Sequence, residues 1–217
     1  MAIKGIIFDL DGTLLYTLVD LQDSVNYALI KNGLKKRTIE EIKSFVGNGI
    51  EKLIERAVYP KKEKFDICLS DFKHHYKKNS INKTKPYFSV VENLKKLKQK
   101  GFKLAVLSNK IDSEVKKLCD YFFFGIFDIA LGAKEDFLKK PDSKSTLYII
   151  EQLNLSKQEV VLIGDSEVDI KTAKNAQIEC LSVSWGYKDK DFLIRNNAAK
   201  IFDDFSSLSD YLLKKFI

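Results

Sequence analysis

Ile3-Lys4-Gly5-Ile6-Ile7-Phe8-Asp9-Leu10-Asp11-Gly12-Thr13 is the stretch on which the fold turns. An apolar run of strand length stops at two acids spaced two apart, and Gly12 behind them frees the backbone to turn. Three further stations follow along the chain. Leu104-Ala105-Val106-Leu107 leads into Ser108-Asn109, then comes Lys140-Pro141, and Val160-Val161-Leu162-Ile163 leads into Gly164-Asp165-Ser166-Glu167-Val168-Asp169. In an open parallel sheet, residues just past the carboxyl ends of the strands meet in one crevice. Asp9, Asp11, Asp165 and Asp169 would gather there with the Ser108 hydroxyl and the Lys140 ammonium. Such a set suits a hard cation and a phosphoryl group.

Between the first and second stations the pattern is helical. Leu21, Val25, Ala28 and Leu29 recur at helical spacing from about Val19 to Lys31, and Asn32-Gly33 is a plausible stop. Thr38, with Glu41 three residues on, reads as a capping box opening a helix that ends near Phe45-Val46-Gly47-Asn48-Gly49. Further helices are expected at Ile50–Val58 and Lys62–Asn79, and nothing from 17 to 80 reads as a strand. Beyond that block, strands and helices alternate. Helices are expected at Val90–Lys100, Asp112–Tyr121, Ser143–Leu153 and Asp169–Ala176, with strands at Lys103–Leu107, Phe127–Leu131, Val160–Ile163, Glu179–Val183 and Ala199–Phe202, before a closing helix. Repeated strand–helix units imply an α/β fold with a parallel sheet covered on both faces. The helical block, inserted after the first strand, would lie over the carboxyl ends as a lid. The expected division is 1–16 with 84–217 as the α/β core and 17–83 as the helical cap.

Bulk properties narrow the class. The 217 residues suit one domain with an insertion, or two small domains, and the 45% apolar share fills a core. No apolar stretch approaches the ~20 residues that span a bilayer, and the first run breaks at Asp9, too soon for a signal-peptide core. Cys68, Cys119 and Cys180 are far apart and odd in number, which argues against a disulfide framework and for a reduced, cytoplasmic protein. The net charge of +7 is spread along the chain, with lysines beside acids on helix faces, as in Glu92 and Lys96. It reads as a solvated surface rather than a nucleic-acid stripe. The expected partner is a small phosphorylated metabolite, with no nucleic acid and no membrane, for a monomer or homodimer.

The stations carry a definite chemistry. A phosphoryl ester repels nucleophiles, but a carboxylate can attack it when a divalent cation neutralises its oxygens. Asp9 is the candidate nucleophile, and the aspartyl-phosphate it forms is easily broken by water. Asp11 is placed to protonate the leaving oxygen and then deprotonate the water. Ser108 would donate to a phosphoryl oxygen, with Asn109 beside it in the binding set. Lys140, immediately before Pro141 and favoured over Lys139, would neutralise nucleophile and phosphoryl group together. Asp9 and Asp165 suit Mg²⁺ as direct ligands, and Asp169, one helical turn beyond Asp165, would orient Lys140 or the metal's water. Glu167 reads as a solvated or helix-start acid. Asn48, on a glycine-flanked bend, is a candidate for reaching into the crevice. His74 and His75 point about 100° apart on a helix and are not a metal pair.

These motifs resemble the haloacid-dehalogenase-like phosphohydrolases, within them the phosphoglycolate-phosphatase-like branch with a helical cap. The likeness runs over essentially the whole chain, through Phe8-Asp9-Leu10-Asp11-Gly12-Thr13-Leu14, Phe45-Val46-Gly47-Asn48-Gly49, Leu107-Ser108-Asn109-Lys110, Lys140-Pro141, Gly164-Asp165-Ser166 with Asp169, and Ser184-Trp185-Gly186-Tyr187. It implies a Rossmann-like core, Asp9 as nucleophile and Asp11 as acid and base. It also implies Mg²⁺ held by Asp9, the Asp11 main-chain carbonyl and Asp165, with Ser108 and Lys140 on the phosphoryl group. The chain departs from the family pattern at Tyr16, where relatives usually carry Asp, at Asp142-Ser143 after Pro141, and at Gln177. The expected activity is Mg²⁺-dependent hydrolysis of a small phosphorylated metabolite, phosphoglycolate-like or a sugar phosphate. The alternatives are a β-phosphoglucomutase-like phosphomutase or an inorganic pyrophosphatase. Asp11 argues against a dehalogenase, and the helical insert argues against a phosphoacceptor signalling module.

Overall fold

The computed structural model describes residues 2–134 and 139–215. The strand expected from the opening stretch is β1 (Gly5–Phe8), and every residue in it is buried. Fully burying Ile6, Ile7 and Phe8 contributes roughly 1.5–3 kcal/mol per side chain, which is why this run takes the centre of the sheet. It lies parallel between β4 (Lys103–Ile111) and β6 (Val160–Gly164). On the far side of β4 runs β5 (Ile129–Ala133), and beyond β6 come β7 (Glu179–Val183) and β8 (Ile201–Phe202), giving the order β5-β4-β1-β6-β7-β8. The chain steps outward from β1 through β4 to β5, then returns past β1 to build β6, β7 and β8. The crevice at the carboxyl ends of β4, β1 and β6 is therefore the switch point where such sheets bind ligands.

Helices cover the sheet: α5 (Val90–Lys100), α6 (Asp112–Phe122), α7 (Lys144–Gln152), α8 (Glu167–Ala176), α9 (Lys190–Arg195) and α10 (Phe205–Lys215). One large apolar cluster joins β1, β4, β6 and β7 to α5, α6 and α10. A smaller one lies on the opposite side, where Ile7, Ala105 and Leu107 meet Ile149, Ile150 and Leu153. The helical insert is α1 (Leu18–Lys31), α2 (Ile39–Phe45), α3 (Ile50–Val58) and α4 (Phe65–Asn79). Thr38 and Glu41 form the expected capping box. The insert has its own apolar cluster, with Val25, Ala28, Ile42, Ile54 and Phe72 at its centre; from outside, buried Tyr187 joins it and Tyr16 and Ile111 pack against it.

Three features depart from the sequence expectation. The strand expected to end at Leu107 runs to Ile111, because after a register shift Ile111 pairs with Ala133 of β5. Ser108, Asn109 and Lys110 therefore sit in the strand rather than in a turn. The strand expected from Phe127 starts at Ile129, and Asp128 instead accepts the Leu104 N–H on its carboxylate at 2.8 Å. Two short strands, β2 (Leu15–Tyr16) and β3 (Lys85–Pro86), pair antiparallel where the chain enters and leaves the insert. Tyr16 there packs edge-on to Tyr87 and Tyr187, so an aromatic cluster stands where the resemblance implied an aspartate. Asp20, buried in the first turn of α1, accepts the N–H groups of Lys83 and Thr84 and the Thr84 hydroxyl, tying the two connections together. Cys68, Cys119 and Cys180 are free thiols. No helix among the described residues is long and apolar enough to cross a membrane.

Candidate active site

The crevice holds a cavity of about 60 Å³ between sheet and insert. Asp9, Asp11, Ser108, Asn109, Lys110, Lys140, Asp165 and Ser166 line its floor; Leu21, Val46, Ile50 and Leu53 of the insert line its roof. The four stations, scattered over some 160 residues, thus converge.

Asp9 follows the last residue of β1, and its N–H donates to the Ile163 carbonyl at 2.8 Å, extending the pairing with β6 by one step. Its Oδ1 accepts the Leu10 N–H at 2.7 Å and faces the Lys140 ammonium at 2.8 Å. Lys140 also meets Asp169 Oδ1 at 2.6 Å, so one buried ammonium bridges two buried carboxylates. The other Asp169 oxygen accepts from the Ser166 N–H and hydroxyl, an aspartate version of the capping box that starts α8. Asp169 thus contacts Lys140, the lysine that the sequence reading expected it to orient.

Asp165 stands at the end of β6. Its Oδ2 accepts the Tyr187 N–H at 2.6 Å, and a β-carbon on Gly12, whose φ is +87°, would lie 2.4 Å from that same oxygen. The glycine of the opening motif thus provides both a left-handed turn and room for a carboxylate from another strand. Burial pushes the Asp9 carboxyl up to about 7; Lys140 opposes this, and Asp169 adds to it. Asp165 is raised well above the usual carboxylate range, first by burial and then by Asp9 and Asp169. Carboxylate oxygens of Asp9, Asp165 and Asp169 lie within 4.8 Å of one another. An all-oxygen, buried, anionic set of this kind fits a hard divalent cation, and Mg²⁺ suits it by donor type.

Three expectations need adjustment. Asn109 lines the cavity, but its carboxamide is engaged elsewhere: Oδ1 accepts the Lys140 N–H at 2.7 Å, and Nδ2 donates to the carbonyls of Lys140 and Gly47. It fixes the Lys140 main chain and pins the α2–α3 bend, rather than offering a free group to a ligand. Asn48 does not line the cavity; its Oδ1 accepts from Arg56 Nη2 at 3.0 Å, and the bend contributes Val46, Gly47 and Gly49 instead. The guanidinium, in the last turn of α3, is a stronger partner for the amide than the apolar roof. Glu167 does open α8, but one of its oxygens is buried without a hydrogen-bond partner, so it is not simply solvated. His75 stacks on Tyr27 and bonds Ser24 within the insert, apart from the cavity.

The largest omission from the sequence reading is Lys110. Its ammonium meets both oxygens of Asp11, at 2.9 and 3.1 Å, and Thr17 Oγ1 donates to Asp11 Oδ1 at 2.6 Å. Burial works against the Lys110 ammonium, but Asp11 and then Tyr76 outweigh it and hold its pKa above the usual lysine value. The signal that could have found this lysine is its place two residues after Ser108 in the Leu107-Ser108-Asn109-Lys110 stretch, which the structure carries on as strand. Thr17 is itself held by the Tyr187 hydroxyl.

The sequence profile of the haloacid dehalogenase-like hydrolases matches residues 6–183. The chain is 39% identical to a phosphoglycolate phosphatase of Psychrobacter arcticus, across 97% of this chain and 96% of that protein. It is 34% identical to one of Aquifex aeolicus, across 85% and 86%. A crystal structure of a candidate phosphoglycolate phosphatase from Lactobacillus delbrueckii subsp. bulgaricus superposes with a TM-score of 0.92 at 33% identity, covering 98% of this chain and 99% of that one. A candidate β-phosphoglucomutase from Bacteroides vulgatus shares the fold alone, with a TM-score of 0.77 at 18% identity over 98% and 89%.

Proposed function

The chain belongs to the haloacid dehalogenase-like hydrolases and is a phosphatase, and from that premise we propose that it hydrolyses a small phosphorylated metabolite through an aspartyl-phosphate on Asp9, with Mg²⁺. The observation that carries this reading is the convergence of Asp9, Lys140, Asp165 and Asp169 in one buried cluster opening on the cavity. Residues 17–83 act as the cap over a core of 1–16 and 84–217, a division supported by the separate apolar cluster of the insert and the paired connections.

Oδ1 of Asp9 is held by Leu10 and Lys140, which leaves Oδ2 to attack phosphorus. The phosphorus–ester oxygen bond breaks as the Asp9–phosphorus bond forms, and Asp11 gives its proton to the departing alcohol. Water then attacks phosphorus, Asp11 takes its proton, and phosphate leaves with the Asp9 carboxylate regenerated. Ser108 and Lys140 hold phosphoryl oxygens. Asp9, the Asp11 carbonyl and Asp165 would hold Mg²⁺, which supplies positive charge to offset the crowded carboxylates and the phosphoryl oxygens. The cap excludes water while the alcohol departs.

The cavity and its apolar roof favour a two- or three-carbon ester over a hexose phosphate. Among its three lysines, Lys110 and Lys140 hold carboxylates, whereas the Lys188 ammonium rests 5.2 Å from the centre of the Phe192 ring. We assign to Lys188, the lining lysine whose ammonium is not against a carboxylate of the site, the recognition of a substrate carboxylate, which favours a phosphoglycolate-like compound. The test is phosphate release from a panel of small phosphoesters and pyrophosphate, with Mg²⁺ and with EDTA. Mg²⁺-dependent release that is fastest from 2-phosphoglycolate supports the reading; no release from any compound overturns it. Lys188→Met should lower the preference for 2-phosphoglycolate over 2-hydroxyethyl phosphate by about tenfold, roughly one lost charged contact; an unchanged preference removes Lys188 from the pocket.

Metal binding should also register in stability. The raised carboxyl pKa values of Asp9 and Asp165 mean that the metal-free native state binds more protons than the unfolded chain. Its stability therefore falls as pH rises from the ordinary carboxylate value through the raised ones. Mg²⁺ at about 100 times its Kd should stabilise by about 2.7 kcal/mol. That gain should be larger above about pH 8 than below about pH 5, where protons compete for the same oxygens. Thermal unfolding with and without Mg²⁺ at the two pH values measures it, and an equal gain at both contradicts the assignment.

A further inference from the structure

We propose that Lys110 is the positioning residue for proton delivery: it holds the Asp11 carboxylate toward the substrate's ester oxygen and is itself seated by Tyr76 of the cap. This rests on the reading of Asp11 as acid and base. A carboxyl that serves a leaving oxygen has to present one oxygen in a fixed direction, because a misplaced donor loses most of its effect. Asp11 is held from two sides, by both contacts from the Lys110 ammonium and by the Thr17 hydroxyl. Lys110 is 6% exposed, a costly place for an ammonium unless its geometry is fixed.

What fixes it comes from the insert. The ammonium lies 4.8 Å from the centre of the Tyr76 ring, a cation–π contact made stronger by exclusion of water. Tyr76 is in α4, stacked on Phe72 at 5.3 Å in the insert's own core, with its hydroxyl buried. Tyr76 therefore meets Lys110 with its ring, and its hydroxyl also interacts with the ammonium. The path from cap core to acid runs Phe72–Tyr76–Lys110–Asp11, so docking of the cap and alignment of the acid are one event.

The test uses the leaving group. An alkyl ester such as 2-phosphoglycolate needs a proton on its departing oxygen, whereas acetyl phosphate loses a carboxylate that does not. kcat/KM covers steps up to transfer of the phosphoryl group to Asp9, so the ratio of kcat/KM for the alkyl ester over acetyl phosphate isolates proton delivery. Lys110→Met should lower that ratio by about 30-fold or more, within the ~10²–10⁴ range of general acid catalysis. Lys110→Arg should recover part of it, since a guanidinium can also meet both carboxylate oxygens. Tyr76→Leu should lower the ratio by several-fold, and Tyr76→Phe, which keeps the ring and loses the hydroxyl, should lower it less. Equal losses on both substrates in Lys110→Met would reduce Lys110 to a support of the fold and overturn the inference. If that variant does not fold, Lys110→Arg and Tyr76→Leu decide by the same ratio. Asp11→Asn separates the two levels: an unchanged ratio there refutes the role of Asp11 itself, whereas a lowered ratio there with an unchanged one in the Lys110 variants refutes only the role of Lys110.

Discussion

Asp9→Asn is expected to lower turnover by about 10⁴-fold or more, in the manner of other removed nucleophiles, while leaving the metal-free protein at least as stable as before. The amide is a poor nucleophile, yet it fits. An asparagine Oδ1 still accepts the Leu10 N–H, and Lys140 keeps its 2.6 Å contact with Asp169. The substitution also removes one of the crowded carboxylates whose burial pushes Asp9 up to about 7. Wild-type stability without metal should decline as pH rises toward that value, because the folded carboxyl holds its proton more tightly than the unfolded one. The Asn variant should decline less over the same window. Lost activity with raised or unchanged Tm is the signature of a residue kept for chemistry at the expense of stability. Phosphate release and thermal unfolding on the same preparation measure both. A near-normal rate would remove Asp9 as nucleophile, and a collapse of Tm would recast it as a structural acid.

Lys140→Met should have the opposite effect on stability and a similar one on activity. Methionine fills much of the same space but leaves Asp9 and Asp169 facing each other without the ammonium between them. Removing one partner of a buried ionic cluster costs about 3–5 kcal/mol, or roughly 6–20 °C in Tm for a chain of this size. The loss should be small at low pH, where the Asp9 carboxyl is protonated, and should grow as pH rises through about 7, where it ionises. Mg²⁺ should restore part of the stability but little of the turnover, since a phosphoryl contact is gone. Denaturant unfolding across pH, with and without Mg²⁺, separates these terms. A pH-independent loss would mean that packing, rather than charge, is what Lys140 supplies.

The two variants act on one cluster whose members the sequence displayed openly. Asp9, Asp165, Lys140 and Ser108 were legible because each lies at a strand end or beside a proline, and because a sheet topology implied by alternating strands and helices brings such ends together. The capping box of Thr38 and Glu41 was legible for a simpler reason: both halves lie within one helical turn. The hinge was not. Strands of two residues carry no periodicity, and Asp20 grips backbone groups 63 and 64 residues away.

Sequence alone determined the parallel sheet, the inserted helical block and most of the side chains that meet in the crevice, since hydrophobic period and turn residues are local and fix which ends meet. Only the tertiary structure decided how the set is held. Lys110 reaches Asp11 across 99 residues, Asn109 takes hold of Lys140 and the cap bend, and Asn48 turns to Arg56. Each of these outcomes depends on competition among polar partners that become neighbours only on folding: within the core for Lys110 and Asp11, within the insert for Asn48 and Arg56, and between the two for Asn109 and Gly47. Burial then makes an unpartnered charge costly enough to select among them.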